Sequence, residues 1–147
     1  MFARHMVWSP LVLLVGCATA RQDFPSDNPE LPFNKAVLVG DTLYVSGHLG
    51  IDAATGRPPA DPAAEARAML DAFAATMARA GMTMDDLVQV QVSCADLSLY
   101  TTFNDVYRQS FNETFPTRAF LGAPALLKGC RYEIIGVAVR RWIRNRS

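Results

Sequence analysis

A carboxylate set in an apolar row is the first group in this 147-residue chain that could do chemistry. Glu133 alternates with Tyr132 in the run from Cys130 to Arg141 and shares a strand face with Ile135, Val137 and Val139, because successive side chains of a strand point to opposite sides. Such a group is either hydrated or paired with an arginine at the strand end, or it moves protons. Arg118 opens a shorter β-rich run directly after Phe115-Pro116-Thr117. A planar guanidinium at a strand start can hold a carboxylate through two parallel hydrogen bonds, or stay a surface charge. Asn104, near the start of a helical segment, suits a polar core group, a loop anchor or a ligand equally well.

Other residues weigh against rival chemistries. Cys94 and Cys130 lie in or beside strands with no activating histidine in the pattern, and read as small buried hydrophobes rather than nucleophiles. With Cys17 they make three cysteines without CxxC or Cys/His spacing, so neither a disulfide framework nor a zinc site is indicated. His48, just past a strand, reads as a surface imidazole. Lys128-Gly129 lacks the glycine spacing of a phosphate loop and reads as a turn. The basic, aromatic tail from Arg140 to Arg146 reads as a solvated terminal run. Fourteen Lys+Arg balance fourteen Asp+Glu at a sequence pI of about 6.7, so no positive field gathers nucleic acid or anionic membrane.

The elements that must position these residues follow from periodicity. Lys35 to Val39 and Thr42 to Gly47 are apolar β-rich runs around Gly40-Asp41, an interval that suits a hairpin. Asp61 can cap a helix that carries Pro62 in its first turn, with Ala66, Met69, Leu70, Phe73 and Met77 on one face, ending at Gly81. Leu87 to Ser93 alternates, with Val88, Val90 and Val92 facing the core. Ser98 offers a cap for a second helix that aligns Phe103, Val106, Tyr107, Ser110 and Phe111. Strands over Arg118 to Gly122 and Cys130 to Arg141 complete a ββαβαββ order, the last apolar enough to be central. Two helices cover only one face of one sheet, which makes an α+β layer and leaves an apolar face for association.

The amino-terminal part follows a different logic. Residues 1–17 carry Arg4, an apolar stretch from Met6 to Val15, and Leu14-Val15-Gly16-Cys17, the pattern of a signal peptide with a lipobox-like end and a lipidated Cys17. Ala18-Thr19-Ala20 offers ordinary secretory cleavage instead. Either cut implies export to the periplasm, with contact to a membrane only through the lipid anchor; the alternative is a cytoplasmic chain whose signal is not used. Residues 18–32, rich in proline and polar groups, read as a linker, and the folded domain as 33–147.

Taken together, Thr42-Leu-Tyr-Val-Ser-Gly47, Asn104-Asp-Val-Tyr107, Phe115-Pro-Thr-Arg118, Lys128-Gly129 and Tyr132-Glu-Ile-Ile-Gly-Val-Ala-Val139 resemble the RidA/YjgF family of reactive-intermediate deaminases. The resemblance implies a chorismate-mutase-like fold, a homotrimer whose bare sheet faces form a central barrel, and no cofactor or metal. It implies hydrolysis of a small 2-imino acid to a 2-oxo acid and ammonia in clefts between subunits. On this likeness Arg118 binds the substrate carboxylate and Glu133, fifteen positions later, positions water. Asn104 comes from a neighbouring subunit, and the Gly47 backbone lines the cleft. The chain departs from the family at three places: Phe33 stands where a tyrosine is usual, Ala119 where serine is common, and His48-Leu49-Gly50 where Gln-Ile-Pro usually follows Ser-Gly, which would bring a titratable group near the cleft mouth. The alternative is an exported trimer that captures carboxylates or proteins without turnover; a ribonuclease fits poorly with zero net charge.

Overall fold

The computed structural model describes residues 20–140. The expected signal segment, Cys17 and the arginine-rich end of the tail lie outside the described residues. Six strands form one sheet: β1 (Arg21–Pro25), β2 (Asn34–Val39), β3 (Thr42–Leu49), β4 (Leu87–Cys94), β5 (Thr117–Gly122) and β6 (Tyr132–Val139). Their spatial order is β1-β2-β3-β6-β4-β5, antiparallel throughout except for the parallel β4/β5 pair. Helices α1 (Pro62–Arg79) and α2 (Tyr100–Arg108) pack on each other and lie on one face. This is the expected α+β layer with β6 inside the sheet. Among the described residues no helix is long and apolar enough to cross a membrane.

Local chemistry accounts for most boundaries. Gly40 takes a φ of 59°, the positive value that a primed two-residue hairpin turn needs, and brings Val39 opposite Thr42. The Asp61 carboxylate accepts from the Ala64 amide at 2.9 Å and Pro62 opens α1, so the start of the helix is capped and its φ preset. Met69, Phe73 and Met77 of α1 and Phe103 of α2 are fully buried against Leu43, Val90, Val92, Tyr132 and Ile134 of the sheet.

The structure corrects four expectations. Part of the expected linker is strand: Arg21–Pro25 pairs with β2 and buries Phe24, because one inward aromatic and backbone pairing suffice at a sheet edge that tolerates proline. Ser98 does not cap the second helix. Asp96 accepts from both the Ser98 amide and hydroxyl, at 2.9 and 2.7 Å, and starts a 3₁₀ turn ahead of α2. Val88 faces outward rather than into the core, because the β4/β6 register slips between Leu87 and Gln89 and Leu87 takes the inward place. His48 is buried inside β3 instead of lying on the surface. Lys128-Gly129 is a turn, with φ of 57° and 71°.

Candidate active site

Directly paired strand residues share a face, which sorts the candidate residues cleanly. Arg118 and Phe120 on β5 sit opposite Val90 and Val92 of β4, both buried under the helices. Arg118 therefore points toward α2. There its Nη2 donates to Asn104 Oδ1 at 2.7 Å, and its guanidinium carbon lies 4.6 Å from the Tyr107 ring centroid, within the range of a cation–π contact. Phe103, Tyr100 and Phe120 ring it at 5.6 to 5.8 Å. Arg118 and Asn104, which the family likeness had assigned to different subunits, are thus partners within one chain.

This group opens into a cleft of about 250 Å³ lined by Tyr100, Asn104, Tyr107, Arg108, Pro116 and Arg118, with Phe115 at its rim. Asn104 reaches the cleft because α2 places positions four apart on one face, which aligns it with Tyr100 and Arg108. Hydrogen bonding with Asn104, reinforced by the charge of Arg118, holds the Tyr100 phenol below its ordinary 10. Burial pushes Tyr107 up to about 12 against the opposing charge of Arg118. A fixed guanidinium with aromatic walls can bind a carboxylate and exclude competing water around it. The sequence reading gave Tyr100 no role; its spacing of four from Asn104 was the available signal.

Glu133 belongs to the other face. It alternates with buried Tyr132 and Ile134 and pairs with Ser93, as Ile135 pairs with Gln91 and Val137 with Gln89. Gly47 lies against it: a Cβ added there would come within 2.2 Å of Glu133 Oε1. A side chain at this position would displace the carboxylate from where it lies. Ala119, opposite Gln91, is also on this face. Phe33 stands apart in the turn before β2, half-exposed beside Pro25, Asn28 and Leu31. The structure thus brings Arg118 to Asn104 and Glu133 to Gly47, on opposite faces of one sheet.

The sequence reading missed Glu65, which is fully buried at the start of α1. It accepts from the Arg131 amide and guanidinium, each at 2.5 Å, and from the Tyr132 amide at 3.4 Å. This contact clips the helix to the first residues of β6, next to Glu133. Cys94 and Cys130 are buried as expected, and burial raises both thiols.

The Endoribonuclease L-PSP family model matches residues 25–140. A Bos taurus protein named 2-iminobutanoate/2-iminopropanoate deaminase is 41% identical over 110 residues, covering 74% of this chain and 80% of that protein. The Escherichia coli K12 protein of the same name is 36% identical over 113 residues, with coverages of 75% and 88%. The crystal structure of E. coli TdcF with bound serine superposes with a TM-score of 0.73 at 32% identity, over 84% of this chain and 98% of that one. RidA from an Antarctic Psychrobacter superposes with a TM-score of 0.72 at 30% identity, with coverages of 84% and 98%.

Proposed function

Since this chain belongs to the Endoribonuclease L-PSP family, the RidA/YjgF proteins, we propose that it hydrolyses small 2-imino acids to 2-oxo acids and ammonia. The observation that carries this reading is the Arg118–Asn104 pair at the mouth of an aromatic cleft, a receptor for a carboxylate one bond from a reactive carbon. Arg118 fixes the carboxylate by two parallel hydrogen bonds and so converts much of the entropic cost of encounter into binding. Glu133 takes a proton from water as its oxygen bonds to the imine carbon. It returns that proton to the nitrogen to give the carbinolamine, then relays the carbinolamine's hydroxyl proton to the same nitrogen as the carbon–oxygen double bond forms and the carbon–nitrogen bond breaks, releasing the 2-oxo acid and ammonia. A general-base and general-acid cycle of this kind is worth about 10²- to 10⁴-fold.

Because Arg118 and Glu133 face opposite sides of the sheet, a site that uses both is assembled from two copies. The apolar face that bears Tyr44, Ile135 and Val139 supplies the contact surface, and a homotrimer closed around three such faces is our reading of the assembly. Gly47 would stand beside the water-activating carboxylate, and Asn104 would hold Arg118 in aim. Ala119 and Phe33 would line the subunit boundary.

The test is 2-oxo acid formation from an imino acid generated in place by an amino-acid oxidase. Arg118→Ala should return the rate to that of the uncatalysed reaction; an unchanged rate overturns the assignment. Glu133→Gln should lose turnover yet still bind 2-oxobutanoate, whereas a wild-type protein that binds without turnover would be a carboxylate receptor. We further propose export through the apolar stretch ahead of Cys17. Fractionated cells should hold the wild type at the membrane and release Cys17→Ala, and a purely cytoplasmic product overturns this.

A further inference from the structure

Antiparallel pairing of β3 with β6 sets Val45 opposite Gly136 and resumes with His48 opposite Ile134. Ser46 and Gly47 therefore oppose the single residue Ile135, the two-against-one count of a β-bulge, a device that re-aims side chains beside sites. The bulge changes parity: Val45 and His48 both turn inward, at 5% and 6% exposure, while Gly47 turns outward against Glu133. His48 itself ties this irregularity down. Its Nδ1 lies 2.8 Å from the Ser46 carbonyl oxygen and its Nε2 lies 2.7 Å from Thr76 Oγ1 on α1. A carbonyl only accepts, so Nδ1 carries the hydrogen and donates, and Nε2 of the neutral ring accepts from the Thr76 hydroxyl. The ring also meets Phe73 edge-on, with centroids 5.3 Å apart.

We propose that His48 is a positioning residue whose neutral ring, donating to Ser46 and accepting from Thr76, ties the Ser46–Gly47 bulge to α1 in the shape that seats the Glu133 carboxylate, and whose protonation keeps the Ser46 bond but disrupts the tie to Thr76. The functional part of this inference rests on the reading of Glu133 as the proton-transferring group. A protonated ring has two donors and can no longer accept from Thr76. Burial, the largest influence, holds the imidazole below its ordinary 6.5. The hydrogen bond to the Ser46 carbonyl opposes this, Lys35 on β2 acts in the same direction as burial, and Asp27, in the turn between β1 and β2, also opposes it; α1 presents neutral Thr76 and Phe73 to the ring. An unfolded chain takes up this proton near 6.5, before the folded one does. The folded state therefore loses stability as pH falls from there through the lowered value.

The full chain carrying Glu133→Gln, which removes the neighbouring carboxylate titration, is followed by amide NMR from about pH 7.5 to about pH 4.5, the range in which a histidine titrates. The Gly47 amide should shift with the same midpoint as the His48 ring protons. Adding His48→Asn, whose side-chain amide can still donate to Ser46, should leave Gly47 flat over that range. In the otherwise native chain His48→Asn should keep kcat within about threefold. His48→Leu should lower it at least about tenfold with little change in KM, because the Arg118 face is untouched. A Gly47 amide indifferent to His48, or a His48→Leu enzyme with native kcat, overturns the proposal. A wild type without turnover sinks only the deaminase reading, and the spectra still decide this one.

Discussion

Gly47 is where one methyl group separates stability from chemistry. The clash that a Cβ would make is with Glu133 Oε1, the far end of a flexible side chain, so the carboxylate can swing aside at little cost to the fold. Gly47→Ala should therefore change stability by under about 1 kcal/mol yet lower kcat by about 10²-fold, the scale of an ångström's misplacement. Parallel thermal melts and initial rates check this, and a full rate in Gly47→Ala would show that Glu133 has no need of its present position. Tyr100 predicts the opposite kinetic signature. Its hydroxyl acts on Asn104 and Arg118, the binding pair, so Tyr100→Phe should raise KM several-fold, as for one partly exposed hydrogen bond to a charged group, with kcat unchanged.

Among elements, the start of α1 and the start of β6 act as one unit through Glu65 and Arg131. Arg131 also donates to the carbonyls of Pro59 and Ala60 at 3.0 Å, so the pair gathers loop, helix and strand. Removing a fully buried carboxylate from such a pair costs about 3 to 5 kcal/mol; the guanidinium is one-third exposed, which lowers our expectation for Glu65→Ala to about 2 to 3 kcal/mol, measurable by urea unfolding. Nothing in the sequence marked this carboxylate, since a glutamate in a first helical turn is ordinary. The strands and helices themselves were legible because their apolar periods of two and 3.6 are long and unbroken. Legibility failed where an element breaks its own period: the slip at Leu87, the bulge ahead of His48, and β1, whose five residues bury only Phe24. The face of Glu133 could be read by alternation alone, whereas the meeting of Asn104 with Arg118 depends on how α2 crosses the sheet.

For the molecule as a whole, the exposed apolar face is the feature that a lone copy leaves unexplained. Tyr44, Val137 and Ile135 border a hollow of about 190 Å³ on it, alongside Gln89 and Gln91. An acidic side chain at its centre would oppose burial between copies while leaving the helix-covered core intact. Ile135→Asp should thus sediment as a monomer with a native circular-dichroism spectrum and lose turnover; a trimer of native activity would place the association surface elsewhere. The two-sided sheet has a genetic corollary as well. If every site takes Arg118 from one copy and Glu133 from another, Arg118→Ala and Glu133→Gln chains, each inactive alone, should rescue one another when co-expressed, with roughly one quarter of the sites in a random mixture inheriting both native groups.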